Sequence, residues 1–212
     1  MTIWAIVPVK PLRRGKSRLA GMLTEDQRTR LNRYLLEHTL TTLNEVSEIE
    51  HNLVVSRDPA ALALTREMGG RTVLEDGAPQ FNTAIKRATI VAKAHGAHAV
   101  LILPADIPLL TASDVRRLLK RGKKPPVVVI APDRRLDGTN GLFVNPAGLI
   151  EYGYGPGSFQ RHSERASEAG AKLEIVHSDR LALDLDLPED LELLGGLEKL
   201  NLSTQLIEVQ DG

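Results

Sequence analysis

The sequence predicts an α/β fold of three layers, a mostly parallel sheet with helices on both faces. Short, uniformly apolar segments rich in branched residues, such as 100–103 and 127–131, read as strands buried on both faces. Amphipathic segments with recognisable caps read as helices. The two kinds alternate along most of the chain, the pattern of a parallel sheet covered on either side. No internal repeat or break in composition divides the chain, so residues 1–212 read as one domain.

Taken in order, the apolar run 3–9 is a first strand, and 10–21 a basic loop containing glycine. Thr24 followed three residues later by Gln27 forms a capping box that opens a helix to about residue 46. Leu31, Leu35, Leu36, Leu40 and Leu43 give it one continuous apolar face. A short strand at 52–56 leads to a helix at 59–68, closed by Gly69-Gly70. A third strand at 71–75, a loop at 76–80 and a helix at 82–95 ended by Gly96 follow. After the strand 100–103 comes a helix near 113–120, capped by Thr111 or Ser113. Strands at 127–131, 141–145 and 173–177, a helix at 159–168 and a last helix starting near Pro188 complete the pattern. Segment 132–158 carries six glycines, at 138, 141, 148, 153, 155 and 157, and reads as a loop-rich lobe that wraps a ligand.

Composition excludes several functions. The 27 basic residues balance 27 acidic ones, and aromatics are 3%, which argues against a nucleic-acid binder. With no cysteine there is no thiolate catalysis, zinc–thiolate site or iron–sulfur cluster. No apolar run approaches the roughly 18 residues that span a bilayer, and the N-terminus lacks a signal-peptide pattern; a soluble cytoplasmic protein is expected.

Three constellations carry chemistry. Lys10, Arg13, Arg14, Lys16 and Arg18, with Gly15 and Ser17, lie directly after the first strand, where an α/β sheet faces its ligand. They suit a polyphosphate; the alternative is a solvated loop. Gly15-Lys16-Ser17 is not a P-loop, because position 10 is lysine where that motif needs glycine. Asp106, just beyond the strand 100–103, is either a magnesium ligand or a turn residue. Asp184 and Asp186 would share one face of a strand and, with Asp106, supply the hard oxygens magnesium prefers; helix capping or a solvated edge is the alternative for Asp184. Finally, Asp137-Gly138-Thr139-Asn140 and the glycine-rich run ending at Ser158, read as a helix cap, suggest an anion pocket of backbone N–H groups and hydroxyls. The six histidines show no metal-ligand spacing, and most read as surface residues. Together these features suggest nucleotidyl transfer to an anionic acceptor, which needs no histidine base.

Pro8-x-Lys10, Lys16-Ser17-Arg18-Leu19, Leu103-x-x-Asp106-x-Pro108-Leu109, Asp137-Gly138-Thr139-Asn140 and Asp184-x-Asp186-x-Pro188-Glu189-Asp190-Leu191 resemble a known family. It is that of the 2-phospho-L-lactate or phosphoenolpyruvate guanylyltransferases of deazaflavin-coenzyme biosynthesis. The resemblance implies a nucleotide-diphospho-sugar transferase-like, Rossmann-like fold. It implies GTP, magnesium and a three-carbon phospho-acid as partners, while the composition already argues against nucleic acid or a membrane. It maps acceptor binding onto Thr139, Gly155 and Ser158, and metal binding onto Asp106 with Asp184 or Asp186, the latter favoured. The residues themselves, read at their strand ends, assign catalysis to Lys16, Arg18 and Asp106 and nucleotide binding to Lys10, Arg13, Arg14, Lys16, Ser17 and Arg18, with Asn82 added by analogy of fold. Where relatives tend to have threonine before the proline, this chain has Leu187. Segments 56–58 and 75–82 lie where a guanine could sit, by analogy of fold. A homodimer and a downstream transferase that takes the product are further candidate partners. The alternatives are a cytidylyl- or sugar-nucleotide transferase of the same fold, and a nucleotide sensor that does not turn over.

Overall fold

The computed structural model describes residues 1–75 and 80–196. The sequence-predicted loop 76–80 and the tail 201–212 lie wholly or mostly outside that range. The elements run β1 (Ile3–Val9), α1 (Glu25–Asn44), β2 (Ile49–Ser56), α2 (Pro59–Glu67), β3 (Arg71–Leu74), α3 (Phe81–Ala94), β4 (Ala99–Ile102), α4 (Ala112–Arg121), β5 (Val127–Pro132), β6 (Thr139–Asn145), α5 (Ser158–Glu168), β7 (Lys172–Ile175), α6 (Asp179–Ala182) and α7 (Pro188–Leu193). They form one seven-stranded sheet in the order β3-β2-β1-β4-β6-β5-β7.

Strand periodicity assigns the two faces. Ile3, Ala5 and Val7 of β1 and Val127, Val129 and Ala131 of β5 join one apolar cluster with Leu36 and Leu40 of α1, Leu62 of α2, and Val115 and Leu118 of α4. The alternate residues Trp4, Ile6, Val128 and Ile130 pack on the other side with Ala84, Ile85 and Ala88 of α3 and Ala166 of α5. The sheet is therefore buried on both faces, as its unbroken apolar strands imply.

The parallel rule has one exception. β6 pairs antiparallel with both β4 and β5. The link between β5 and β6 is too short for the crossover that parallel neighbours require, so the chain turns back as a hairpin. The glycine-rich segment is thus not all loop, since β6 runs through the interior of the sheet.

A third cluster decides where the functional residues meet. Leu19 and Leu23, Leu31 and Leu35 of α1, and Leu183, Leu185, Leu191 and Leu194 pack together away from the sheet. Burying each leucine is worth roughly 1.5–3 kcal/mol. This cluster seats the end of the basic loop against the chain's C-terminal acidic segment.

Candidate active site

A cleft of about 610 Å³ opens at the carboxyl ends of β1 and β4, lined among others by Lys10, Lys16, Arg18, Asp106, Thr139 and Asp186. Ligands of open α/β sheets bind at that end. A smaller hollow of about 410 Å³ lies by Met1, Ile3 and Arg116, at the opposite end of β1.

The basic loop is folded tightly by Arg14 N–H and Gly15 N–H donating to the Pro11 carbonyl. It ends in a 3-10 turn at Ser17–Leu19 rather than the helix that follows a P-loop. A Cβ on Gly15 would lie 2.5 Å from the Asn32 side chain, so only glycine lets the loop approach α1 this closely. Lys16 then adopts a left-handed backbone, with φ of 55°, and its side chain is only 7% exposed. Its Nζ lies 3.1 Å from Asp106 Oδ2 and 3.9 Å from Asp186 Oδ1. Arg18 donates to Asp186 Oδ2 at 2.7 Å. One ammonium thus spans two carboxylates that are far apart in sequence.

Asp184 and Asp186 are not in a strand, contrary to expectation. Their segment is extended but unpaired in the sheet, and its alternation is preserved by burial of Leu183 and Leu185. Leu185 N–H donates to the Asp106 carbonyl at 2.9 Å, tying the acidic segment to the β4 loop. Asp184 accepts from Asn140 Nδ2 at 3.2 Å. Burial, and then the negative charge of Asp106, raise the Asp184 carboxyl above the usual range. Leu187, at the start of α7, offers no side-chain cap. Asp190 Oδ2 accepts from the backbone N–H of Asp186 and Leu187 instead, at 3.0 and 2.7 Å. Asp190 is buried and held by Arg134 at 2.7 Å.

Among the described residues no group of three histidine, aspartate or glutamate side chains is arranged to cage a metal. Asp106 and Asp184 nevertheless line the same cleft, the charge of Asp106 helps raise the Asp184 carboxyl, and both are hard oxygen donors. That set fits magnesium, which takes one or two carboxylates and completes its shell with phosphate and water.

The acceptor side centres on α5. Ser158 is its first helical residue, not its cap; Gly157, with φ of 70°, caps it without a side chain. Gly157 N–H donates to Asp137 Oδ1 and Phe159 N–H to the Asp137 carbonyl. Ser158 N–H donates to the Gly155 carbonyl, so three amides expected to cradle an anion are already engaged. Thr139, Gly155 and Ser158 do line the cleft together. His162 is fully buried beneath them, an exception to the surface placement expected of most histidines.

Arg13, Arg14 and Ser17 are exposed and not among the cleft-lining residues. Asn82 donates to the Tyr154 carbonyl and accepts from Tyr154 N–H, at 3.2 and 2.7 Å, so it braces the acceptor lobe. Asp58, in the segment suggested for the guanine, is spent on capping α2 and holding Leu12 N–H. Sequence reasoning missed Arg135 and Asn32 as lining residues, reached Phe81 and Tyr154 only as members of longer segments, and gave Asn140 no role.

The family model described as "Guanylyl transferase CofC like" matches residues 3–199. The chain belongs to that family. Relatives of the CofC-like chain include the phosphoenolpyruvate guanylyltransferase of Rubrobacter xylanophilus, 37% identical over 93% of this chain and 97% of that protein. The 2-phospho-L-lactate guanylyltransferase of Methanocaldococcus infernus is 32% identical over 88% of this chain and 81% of its own. Among solved structures, a nucleotidyl transferase from Methanothermobacter thermautotroptrophicus superposes with a TM-score of 0.69 at 17% identity, covering 95% of this chain and 99% of that one. At such identity the likeness shows the fold of this CofC-like chain, the nucleotide-diphospho-sugar transferase-like fold expected of it.

Proposed function

We propose that the protein transfers GMP from GTP to phosphoenolpyruvate or 2-phospho-L-lactate, releasing pyrophosphate. The observation that carries this reading is one cleft lined by Lys16, Arg18, Asp106, Asp184 and Asp186 together with Thr139, Gly155 and Ser158. Family membership supports guanylyl transfer, and the names of both relatives support a three-carbon phospho-acid as acceptor.

In this reading a phosphate oxygen of the acceptor attacks the α-phosphorus of GTP. The bond from that phosphorus to the oxygen bridging to the β-phosphate breaks, and pyrophosphate leaves with the electron pair. The attacking phosphate is already ionised, so no base takes a proton. Lys16 and Arg18 stabilise charge on the phosphates, held in place by their carboxylate partners. Lys10 adds positive charge at the cleft wall. Thr139, Gly155 and Ser158 hold the acceptor in line. Asp106 and Asp184 would hold a magnesium ion, which when bound neutralises triphosphate charge. Asp186 is already engaged by Arg18 and Lys16, and we assign it to positioning those cations.

Purified protein with GTP and magnesium is expected to release pyrophosphate only when one of the two phospho-acids is added. Release with CTP or UTP at equal rates would favour the cytidylyl- or sugar-nucleotide alternative. Tight GTP binding without release, for either acid, would leave only the sensor.

A further inference from the structure

We propose that His162 is a positioning residue of the acceptor pocket, acting as the neutral Nδ1–H tautomer to make the Thr139 hydroxyl a committed hydrogen-bond donor toward the anionic acceptor. The inference deepens, and rests on, the acceptor role given to Thr139 above.

The tautomer follows from two contacts. Gly153 N–H lies 3.0 Å from His162 Nε2, and a backbone amide can only donate, so Nε2 carries a lone pair. In a neutral ring the hydrogen is then on Nδ1, which lies 3.0 Å from Thr139 Oγ1 and donates to it. The ring is neutral because burial, and next the positive charges of Arg165 and Arg161, push the imidazole down to about 4. With one lone pair of Oγ1 occupied by His162, the hydroxyl hydrogen of Thr139 is free to turn into the cleft that Thr139 lines. A carboxylate or phosphate oxygen is the partner such a donor wants.

The surroundings hold the ring in this pose. The Tyr154 ring packs edge-on at 4.9 Å. Arg161 donates to the Gly153 and Pro156 carbonyls, and Arg165 to that of Glu151 at 3.1 Å. Three side chains of α5 thereby strap down the segment that carries Gly155. His162 reaches both that segment, at Gly153, and β6, at Thr139, so one imidazole joins two walls of the pocket.

Two measurements test this. Long-range proton–nitrogen NMR of the wild-type protein, with the signal assigned by its through-space contact with the Tyr154 ring, is expected to show a neutral Nδ1–H imidazole that persists as pH falls below 6. A charged ring or the Nε2–H tautomer would overturn the proposal. Kinetics of His162→Asn and His162→Gln supply the second. The asparagine amide stands near the Nδ1 position and keeps a donor for Thr139; the glutamine amide reaches the Nε2 position and keeps an acceptor for Gly153. Glutamine is expected to raise KM for the phospho-acid about tenfold or more with KM for GTP unchanged, and asparagine to raise it less. Equal changes in both KM values, or none, would overturn it. If neither variant folds, the wild-type tautomer decides. A wild-type protein that transfers no GMP but shows the tautomer would fail the functional reading, not the hydrogen-bond assignment.

Discussion

Lys16 and Asp106 form a 3.1 Å ion pair between the loop after β1 and the loop after β4, with the lysine almost withdrawn from solvent. Two features make this pair more than a surface contact. The lysine backbone is held in the left-handed region, and its ammonium also faces Asp186. Backbone strain of this kind collects at functional positions.

Lys16→Gly separates strain from chemistry. Glycine relieves a backbone cost of about 1 kcal/mol, which offsets part of the loss of a largely buried ion pair. Stability from urea unfolding is expected to fall by about 1–4 kcal/mol, while kcat, measured where the variant is folded, falls about 100-fold or more. A fully active Lys16→Gly protein would remove the ammonium from the mechanism.

Leu185 links packing to catalysis. It is fully buried, lies between Asp184 and Asp186, and its N–H is bonded to the Asp106 carbonyl. Leu185→Ala is expected to cost about 2–5 kcal/mol of stability. Leu40→Ala, equally buried but in the core under the sheet, should cost a similar amount and leave kcat near wild type at permissive temperature. Leu185→Ala should lower kcat as well. Identical kinetics in the two variants would show that the leucine cluster does not position the acids.

How far the chain discloses this arrangement depends on the range of the interaction. The buried strands, the Thr24–Gln27 capping box and the Thr111 cap are local patterns, and the structure has them all. The reversed direction of β6 is not legible, because Leu142, Phe143 and Val144 are as uniformly apolar as a parallel strand between two helical layers. The basic and acidic segments were legible as groups but not their pairing, which depends on Leu19 and Leu185 meeting across most of the chain. His162 was hidden by its charged neighbours. Its spacing from Ser158 and Ala166, four residues either way, marks the buried face of α5 and could have exposed it.

His162 also predicts a pH effect on stability. Folded, its imidazole titrates at about 4, and unfolded near the ordinary 6.5. Between those values the unfolded chain binds more protons, so this residue's contribution is complete above pH 6.5 and is lost as pH falls toward 4. The charged neighbours Arg161 and Arg165 act in the same direction as burial. The difference in unfolding free energy between wild type and His162→Asn is expected to change by on the order of 3 kcal/mol across that window. A difference that stays constant would contradict the buried neutral imidazole.

The most direct test of guanylyl transfer follows the α-phosphorus of labelled GTP in wild type and Asp106→Asn side by side, with magnesium and phosphoenolpyruvate or 2-phospho-L-lactate. Wild type is expected to move the label into a diphosphate-linked product of one acid with release of pyrophosphate, and Asp106→Asn, although folded, to move almost none. Label that stays in GTP with wild type, or moves equally in both proteins, would contradict it.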